Sequence, residues 1–167
     1  MKLVLIRHGP AGDRDTWEAE GRDDRLRPLT SDGKKQMRRV AAGLATLVPS
    51  IDILATSPLV RAEQSAEIIA EQYGIDLVTL DTLEPDNAPE KSVEWLRALE
   101  AEETVALVGH EPHLSTLVGY LLTGKRVSFI DLKKGGVALV DLPDPPQSGT
   151  GTLEGLFTPR VLRRLGE

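Results

Sequence analysis

The residues of this chain that could do chemistry stand directly after apolar segments. Residues 3–6 form a continuous apolar run, and Arg7, His8 and Gly9 follow it at once. Such a run is typical of a strand that is buried on both faces, and ligands of open α/β sheets bind at the carboxyl ends of their strands. A guanidinium and an imidazole there could bind an anion and attack it. Taken alone, the same three residues could also be a surface basic pair and a turn glycine.

A second arginine is predicted at the start of a helix. Residues 51–55 form another short apolar strand, after which Ser57 predicts an N-cap and Pro58 a first helical residue. Side chains of a helix point toward its N-terminal end, where free N–H groups and a partial positive charge favour anions. We therefore expect Arg61 and this helix terminus to converge on one anion.

A third strand end adds a second imidazole. Residues 104–108 are apolar and β-branched, and Gly109 and His110 follow. In a parallel sheet the three strand ends lie at one edge, so all these groups can share one pocket. Guanidinium forks match phosphate oxygens, one imidazole can attack phosphorus, and the other can hydrogen-bond a phosphoryl oxygen. The pattern therefore indicates phosphoryl chemistry.

The elements that must position these residues alternate between strands and helices. Apolar strands are predicted at 3–6, 51–55, 75–80, 104–108, 129–132, 137–142 and 152–157, and helices are predicted to begin near Ser31, Pro58, Val93, Pro112 and Pro159. This alternation predicts an α/β three-layer sandwich, with a mostly parallel central sheet and helices on both faces, formed by one domain over residues 1–167. The charged segment 10–28 is predicted to be a loop, either around the site or simply solvated.

Composition excludes several classes of protein. The chain of 167 residues carries a formal net charge of −6, which argues against non-specific binding to nucleic acid but allows a local positive pocket. It has no cysteine, so disulfides and thiolate metal sites are excluded. No stretch approaches the roughly 20 apolar residues of a membrane span, and no signal-peptide pattern precedes the first strand. We therefore expect a cytoplasmic protein.

Together these motifs resemble those of the histidine phosphatase superfamily, the phosphoglycerate mutase-like proteins. Arg7-His8-Gly9 matches the family's first motif, the segment 56–61 its second arginine motif, and Gly109-His110 its second histidine. The chain is most similar to small phosphohistidine phosphatases of the SixA type. Arg27-Pro28-Leu29-Thr30 precedes the first long helix, and only residues 81–103 separate the third and fourth strands, where larger relatives insert a helical cap.

The resemblance implies a role for each residue. His8 is the nucleophile and forms a phosphohistidine intermediate, Arg7 and Arg61 bind the phosphoryl group, and His110 stabilises it. No metal or other cofactor is implied, because the arginines take the place of the usual cation. The implied partner is a phosphohistidine-bearing protein, for which a phosphotransfer domain is plausible. A phosphatase for a small phosphoester metabolite and an inactive phosphate-binding module stay open as alternatives, and the oligomeric state is open.

Some residues depart from the family pattern or allow a second interpretation. Arg14 stands where mutase-like members have asparagine, so mutase chemistry is not expected. Glu84 is a candidate general acid or only a loop carboxylate. His110 and His113 approach metal-ligand spacing, but His113 is expected to line the pocket rim or cap its helix. Four basic residues form either a patch for an acidic partner or a solvated surface: Lys125, Arg126, Lys133 and Lys134.

Overall fold

The computed structural model describes residues 1–100 and 103–167 and is built around one six-stranded sheet. The strands are β1 (Lys2–Arg7), β2 (Ile53–Thr56), β3 (Leu77–Thr79), β4 (Thr104–Gly109), β5 (Val137–Asp141) and β6 (Thr152–Phe157). The α-helices are α1 (Arg14–Ala19), α2 (Ser31–Leu47), α3 (Val60–Tyr73), α4 (Pro89–Arg97), α5 (His113–Thr123) and α6 (Pro159–Leu165).

The strand order brings the predicted strand ends together. The order is β3-β2-β4-β1-β5-β6, and the first four strands are mutually parallel. In the register, Arg7 lies opposite Gly109, and Thr56 lies opposite Val108. The carboxyl ends of β1, β2 and β4 therefore meet at one edge. The predicted α/β sandwich with a mostly parallel sheet is confirmed.

Both faces of the sheet are covered, which explains why β1 is apolar throughout. Val4 and Ile6 pack with residues of α2, α3 and α6, whereas Leu3 and Leu5 pack with residues of α4 and α5. Each strand face therefore contributes to a separate hydrophobic core. Between β3 and β4, the described residues form only a 3-10 helix at Asp81–Leu83 and the nine-residue α4, without a large cap.

The prediction of an irregular loop over residues 10–28 is wrong. The segment contains α1 and a 3-10 helix at Asp24–Leu26. Two of its aspartates cap these helices. The Asp13 carboxylate accepts from the Thr16 N–H at 2.8 Å in α1, and the Asp23 carboxylate accepts from the Arg25 N–H at 3.0 Å in the 3-10 helix.

The strand predicted at 129–132 is not formed. β5 already pairs with β1 on one side and β6 on the other, so no position beside it is free for a hairpin partner. The Leu132 carbonyl instead accepts a hydrogen bond from the Arg7 side chain at 2.7 Å. The segment therefore serves the end of β1.

Among the described residues, no helix combines the length and the apolar character that a membrane crossing requires.

Candidate active site

The four predicted site residues line one cavity of about 560 Å³ at the carboxyl edge of the sheet. They are Arg7 at the end of β1, His8 directly after it, Arg61 in the first turn of α3, and His110 directly after β4. His8, Arg61 and His110 are buried, with 5%, 5% and 2% of their surface exposed. The structure therefore brings together residues that lie up to a hundred positions apart in the chain.

His8 is held in a defined tautomer. Its Nδ1 lies 2.7 Å from the Gly9 carbonyl oxygen, and because a carbonyl can only accept, Nδ1 carries the proton and donates it. Nε2 is then the nitrogen with a free lone pair. Burial lowers the pKa of His8 to about 3, and the positive charges of Arg61 and Arg7 act in the same direction. The ring is therefore neutral at ordinary pH, as an attacking nitrogen requires.

Gly9 allows the end of β1 to approach two helices. A Cβ at this position would lie 2.4 Å from Cγ of Met37, so a side chain would not fit without displacing the buried Met37 side chain. The Gly9 N–H donates to Ser65 Oγ at 3.0 Å, and that hydroxyl donates to the Arg61 carbonyl at 2.7 Å. This bridge ties the backbone beside His8 to the turn of α3 that carries Arg61.

The two arginines are held by backbone carbonyls and by one carboxylate. Arg7 donates from Nη1 to the Leu132 carbonyl at 2.7 Å. Arg61 donates from Nη1 to the Asp24 carbonyl at 2.9 Å, and its Nη2 lies 3.2 Å from the Asp24 carboxylate. The Nε–H of each arginine is buried without a hydrogen-bond partner among the described residues.

His110 lies beside His8, and one of its nitrogens is also unpartnered. The two ring centroids are 5.1 Å apart. Nε2 of His110 lies 2.8 Å from Ser57 Oγ, whereas its Nδ1 is buried without a partner among the described residues. Burial lowers the pKa of His110 to about 2, helped by His8 and by the charge of Arg61, so this ring is neutral as well.

Ser57 does not occupy the predicted N-cap position. The helix α3 begins at Val60, two residues later than predicted, and its N-cap residue is Leu59. The Ser57 hydroxyl does accept from the Leu59 N–H at 3.3 Å, but its other contact is His110. The prediction that Pro58 is the first helical residue is therefore wrong, and the strand end serves the second imidazole instead.

Arg27 and Asp24 also belong to the site but were not among the predicted site residues. Arg27 is part of the Arg27-Pro28-Leu29-Thr30 motif. Arg27 is buried on the cavity and donates to the Asp24 carboxylate at 2.8 Å and to the Gly12 carbonyl at 2.7 Å. Burial opposes ionisation of Asp24, but Arg27 and Arg61 hold the pKa of its carboxyl below the usual value. Asp24 thus positions both arginines, and its place in a densely charged segment left no periodic signal to find it by.

Lys134 also lies on the cavity. The other members of the predicted basic patch do not line it. The turn that carries Lys134 is fixed to the end of β1, because the Gly135 N–H lies 3.0 Å from the Arg7 carbonyl and 3.1 Å from the His8 carbonyl. Lys133, the preceding residue, points elsewhere and pairs with Asp131 at 2.6 Å. Arg126, the patch's arginine, pairs with Glu90 at 2.6 Å. Of the four basic residues, Lys134 alone lies on the cavity, and Arg126 and Lys133 are paired with carboxylates.

Glu84 lies outside the main cavity. It lines a neighbouring cavity of about 310 Å³, which shares Arg14, Arg61 and Glu111 with the main one. Its carboxylate pairs with Arg25 at 2.5 Å. The structure thus places the candidate general acid beside the site, with its charge already neutralised by a cation.

His113 is buried and does not line the cavity, so its predicted place at the pocket rim is wrong. Its Nδ1 lies 2.9 Å from the Asn87 carbonyl, and its Nε2 lies 3.4 Å from Ser92 Oγ. Both nitrogens therefore serve the packing of α5 against α4 and the segment before it. In the described part of the chain, no group of three or more His, Asp or Glu side chains is arranged to hold a metal ion.

The comparisons with known proteins agree with this geometry. Residues 3–85 match the model of the histidine phosphatase superfamily (branch 1). The chain is 27% identical to the phosphohistidine phosphatase SixA of Escherichia coli, over 98% of this chain and 97% of that one. It is also 34% identical to an uncharacterized protein of Picosynechococcus over 140 residues, and this alignment covers 82% of each chain.

A solved structure gives the same likeness in three dimensions. The protein histidine phosphatase SixA complexed with tungstate superimposes with a TM-score of 0.82 at 27% identity, over 97% of this chain and 99% of that chain. The similarity in fold therefore extends over nearly the whole chain.

Proposed function

The chain belongs to the histidine phosphatase superfamily, and on that premise we propose that it is a metal-independent phosphatase with His8 as its nucleophile. The substrate we propose is phosphohistidine in another protein. The observation that carries the proposal is a set of buried nitrogens without a hydrogen-bond partner among the described residues, namely Nε of Arg7, Nε of Arg61 and Nδ1 of His110, on side chains that line the same cavity as His8. Buried donors are almost always hydrogen-bonded in native proteins. A phosphoryl group, with several acceptor oxygens, would partner all three.

In the first step, Nε2 of His8 attacks the phosphorus atom. A bond forms between Nε2 and phosphorus while the bond from phosphorus to the leaving group breaks, and the leaving group takes the electron pair. The guanidinium groups of Arg7 and Arg61 offset the charge of the phosphoryl oxygens, and His110 donates to one of them. The donation of Nδ1–H to the Gly9 carbonyl lets the ring spread the positive charge that it gains.

In the second step, water attacks the phosphorylated His8. Its oxygen bonds to phosphorus, the bond from phosphorus to Nε2 breaks, and Nε2 recovers its lone pair. The proton that the water loses leaves with phosphate or with bulk solvent. The products are inorganic phosphate and a free enzyme in its starting tautomer.

Two features support a protein substrate. The cavity opens at the sheet edge, and the described residues between β3 and β4 form only short helices, so a phosphorylated side chain on another protein can reach His8. Transfer between two imidazoles is also nearly balanced in energy, so the leaving group needs no strong acid. This agrees with the position of Glu84, which pairs with Arg25 outside the main cavity.

The test is a labelling experiment with a protein that carries radiolabelled phosphohistidine. The wild-type protein and the His8→Ala variant are mixed with it, quenched after milliseconds to seconds, and mapped for label. We expect acid-labile, base-stable label on His8 and release of phosphate by the wild type only. Circular dichroism and inorganic phosphate binding serve as the control that His8→Ala keeps its fold and its arginines.

The other outcomes distinguish the alternatives. Label that stays on His8 would indicate phosphotransfer or sensing. Cleavage of small phosphoesters without turnover of phosphohistidine would assign the substrate to metabolites. Phosphate binding without turnover of any substrate would indicate a binding module.

A further inference from the structure

Ser57 lies within the motif segment 56–61 but has no role in the steps described above, and its hydroxyl is fully buried against the second imidazole of the site. We infer that Ser57 is a positioning residue: its O–H donates to Nε2 of His110 and thereby leaves Nδ1–H as the donor toward the phosphoryl group. The tautomer follows from geometry alone. Its consequence for catalysis rests on the proposed function.

The contacts of the Ser57 hydroxyl form a directed chain. The Leu59 N–H lies 3.3 Å from Ser57 Oγ and can only donate, so Oγ accepts there. The same oxygen lies 2.8 Å from Nε2 of His110. The hydroxyl proton has no other acceptor among the described residues, so it is free to point at Nε2.

The opposite assignment leaves more polar groups unpaired. If Nε2 carried the proton and donated to Ser57, the hydroxyl proton would be buried without an acceptor. Nδ1 of His110 would then present an unpartnered lone pair as well. Each such group is destabilising when it is buried without a partner. Donation by Ser57 satisfies the hydroxyl completely and leaves one N–H, which a phosphoryl oxygen can accept.

The tautomer decides what His110 can do. A neutral imidazole carries a single N–H, and the buried His110 is neutral in the free protein because its pKa is lowered to about 2. With the proton on Nδ1, the ring offers a donor in the cavity that Arg7 and Arg61 also line. With the proton on Nε2, it would offer a lone pair to an anion, which is repulsive. Ser57 therefore acts on the phosphoryl group only through His110.

The first measurement uses the unmodified protein. Nitrogen-15 NMR of the imidazole side chains distinguishes a protonated ring nitrogen from one with a lone pair. The chain has three histidines, so His→Gln variants assign the signals. We expect His110 to carry its proton on Nδ1. A proton on Nε2 of His110 in the free wild type would overturn the inference, whatever the activity.

The second measurement compares two buried serines that each contact a histidine. Ser57→Ala removes the donor to His110, whereas Ser92→Ala is the matched control, since Ser92 contacts His113 outside the cavity. We expect Ser57→Ala to populate the Nε2–H form of His110 and to lower kcat roughly ten- to a hundredfold, a loss that is part of the effect of a complete donor deletion. KM should change less than kcat, because the arginines still bind the ground state.

Rescue separates positioning from packing. Ser57→Thr keeps the hydroxyl and should retain the Nδ1–H tautomer and most of kcat. Equal tautomers and equal kcat in Ser57→Ala and Ser92→Ala would overturn the inference. A wild type with the Nδ1–H tautomer but no turnover of any phosphorylated substrate would instead overturn the proposed function, while the assignment of Ser57 would be supported.

Discussion

Two buried histidines that are three residues apart each contact a buried serine, and they differ in whether a ring nitrogen is left without a hydrogen-bond partner. In one, His110 contacts Ser57 through Nε2, and its Nδ1 has no partner among the described residues. In the other, His113 has Ser92 on Nε2 and the Asn87 carbonyl on Nδ1. Both rings are buried to nearly the same extent.

The comparison teaches that burial and residue type do not distinguish a structural histidine from a site histidine. A buried ring with both nitrogens bonded is complete, and its contacts stabilise the fold. A buried ring with one free N–H has a strong preference for an acceptor that the protein itself does not supply. The cations and carboxylates around the cavity likewise differ in whether the protein itself supplies their partners.

The largest expected difference is between removal of the two histidines. His110→Ala deletes a donor to the phosphoryl group and should lower kcat/KM roughly a hundred- to a thousandfold. His113→Ala leaves the Asn87 carbonyl unbonded and should reduce the free energy of unfolding by about 2 kcal/mol, with little effect on kcat/KM of the folded enzyme. Steady-state kinetics and urea titrations measure both. Equal effects on activity would contradict the comparison.

Acid should affect the two rings in the same direction but to different extents. The pKa of His110 is about 2 in the folded protein, below the value of 6.5 in the unfolded chain, so the unfolded chain binds the proton first as pH falls. Its contribution to stability is complete above pH 6.5 and is lost below it, by about 2 kcal/mol between pH 6.5 and 5. Burial also lowers the pKa of His113, but its bond to Asn87 opposes this shift.

We therefore expect His110→Gln to reduce the acid loss of stability more than His113→Gln does. Urea titrations of the wild type and of both variants at pH 7 and pH 5 measure the acid loss of stability of each protein. A steeper acid loss in His110→Gln than in the wild type would show that this ring is charged in the folded state, contrary to the site geometry.

A smaller effect should separate the two neighbouring lysines. Lys134 lies on the cavity, whereas Lys133 pairs with Asp131. Lys134→Met should weaken binding of inorganic phosphate roughly threefold at low ionic strength and less at high salt, because the lysine is solvent-exposed and screened. Lys133→Met is the matched control and should leave the affinity unchanged. Calorimetric titration with phosphate measures both, and identical affinities for the two variants would remove Lys134 from the site.

The smallest effect is expected at Glu84. Its carboxylate already has a partner in Arg25, and a leaving imidazole needs no strong acid. Glu84→Gln should therefore change kcat/KM for phosphohistidine less than about twofold, since an exposed ion pair contributes little. A thousandfold loss would identify Glu84 as the general acid and overturn this account of the leaving group.

Much of the fold and of the site could be predicted because the signals are local. Three strands of the sheet, β1, β2 and β4, end close to residues whose side chains are reactive, and the alternation of apolar runs with helices defines which ends share an edge. Two of the predictions that are wrong also rested on local sequence signals. Residues 129–132 have strand-forming composition, but the positions beside β5 are taken by β1 and β6. The helix predicted to start at Pro58 begins two residues later, at Val60, although Ser57 Oγ accepts from the Leu59 N–H.

The order of residues along the chain identifies the reactive groups, and the predicted parallel pairing of the strands places them at one edge of the sheet. Which of those groups stay without a hydrogen-bond partner depends on how the chain packs. That depends on partners far away in the chain: Leu132 for Arg7, Asp24 for Arg61 and Ser57 for His110 lie 125, 37 and 53 residues distant. No local pattern specifies such pairs, so the difference between His110 and His113 follows from packing alone.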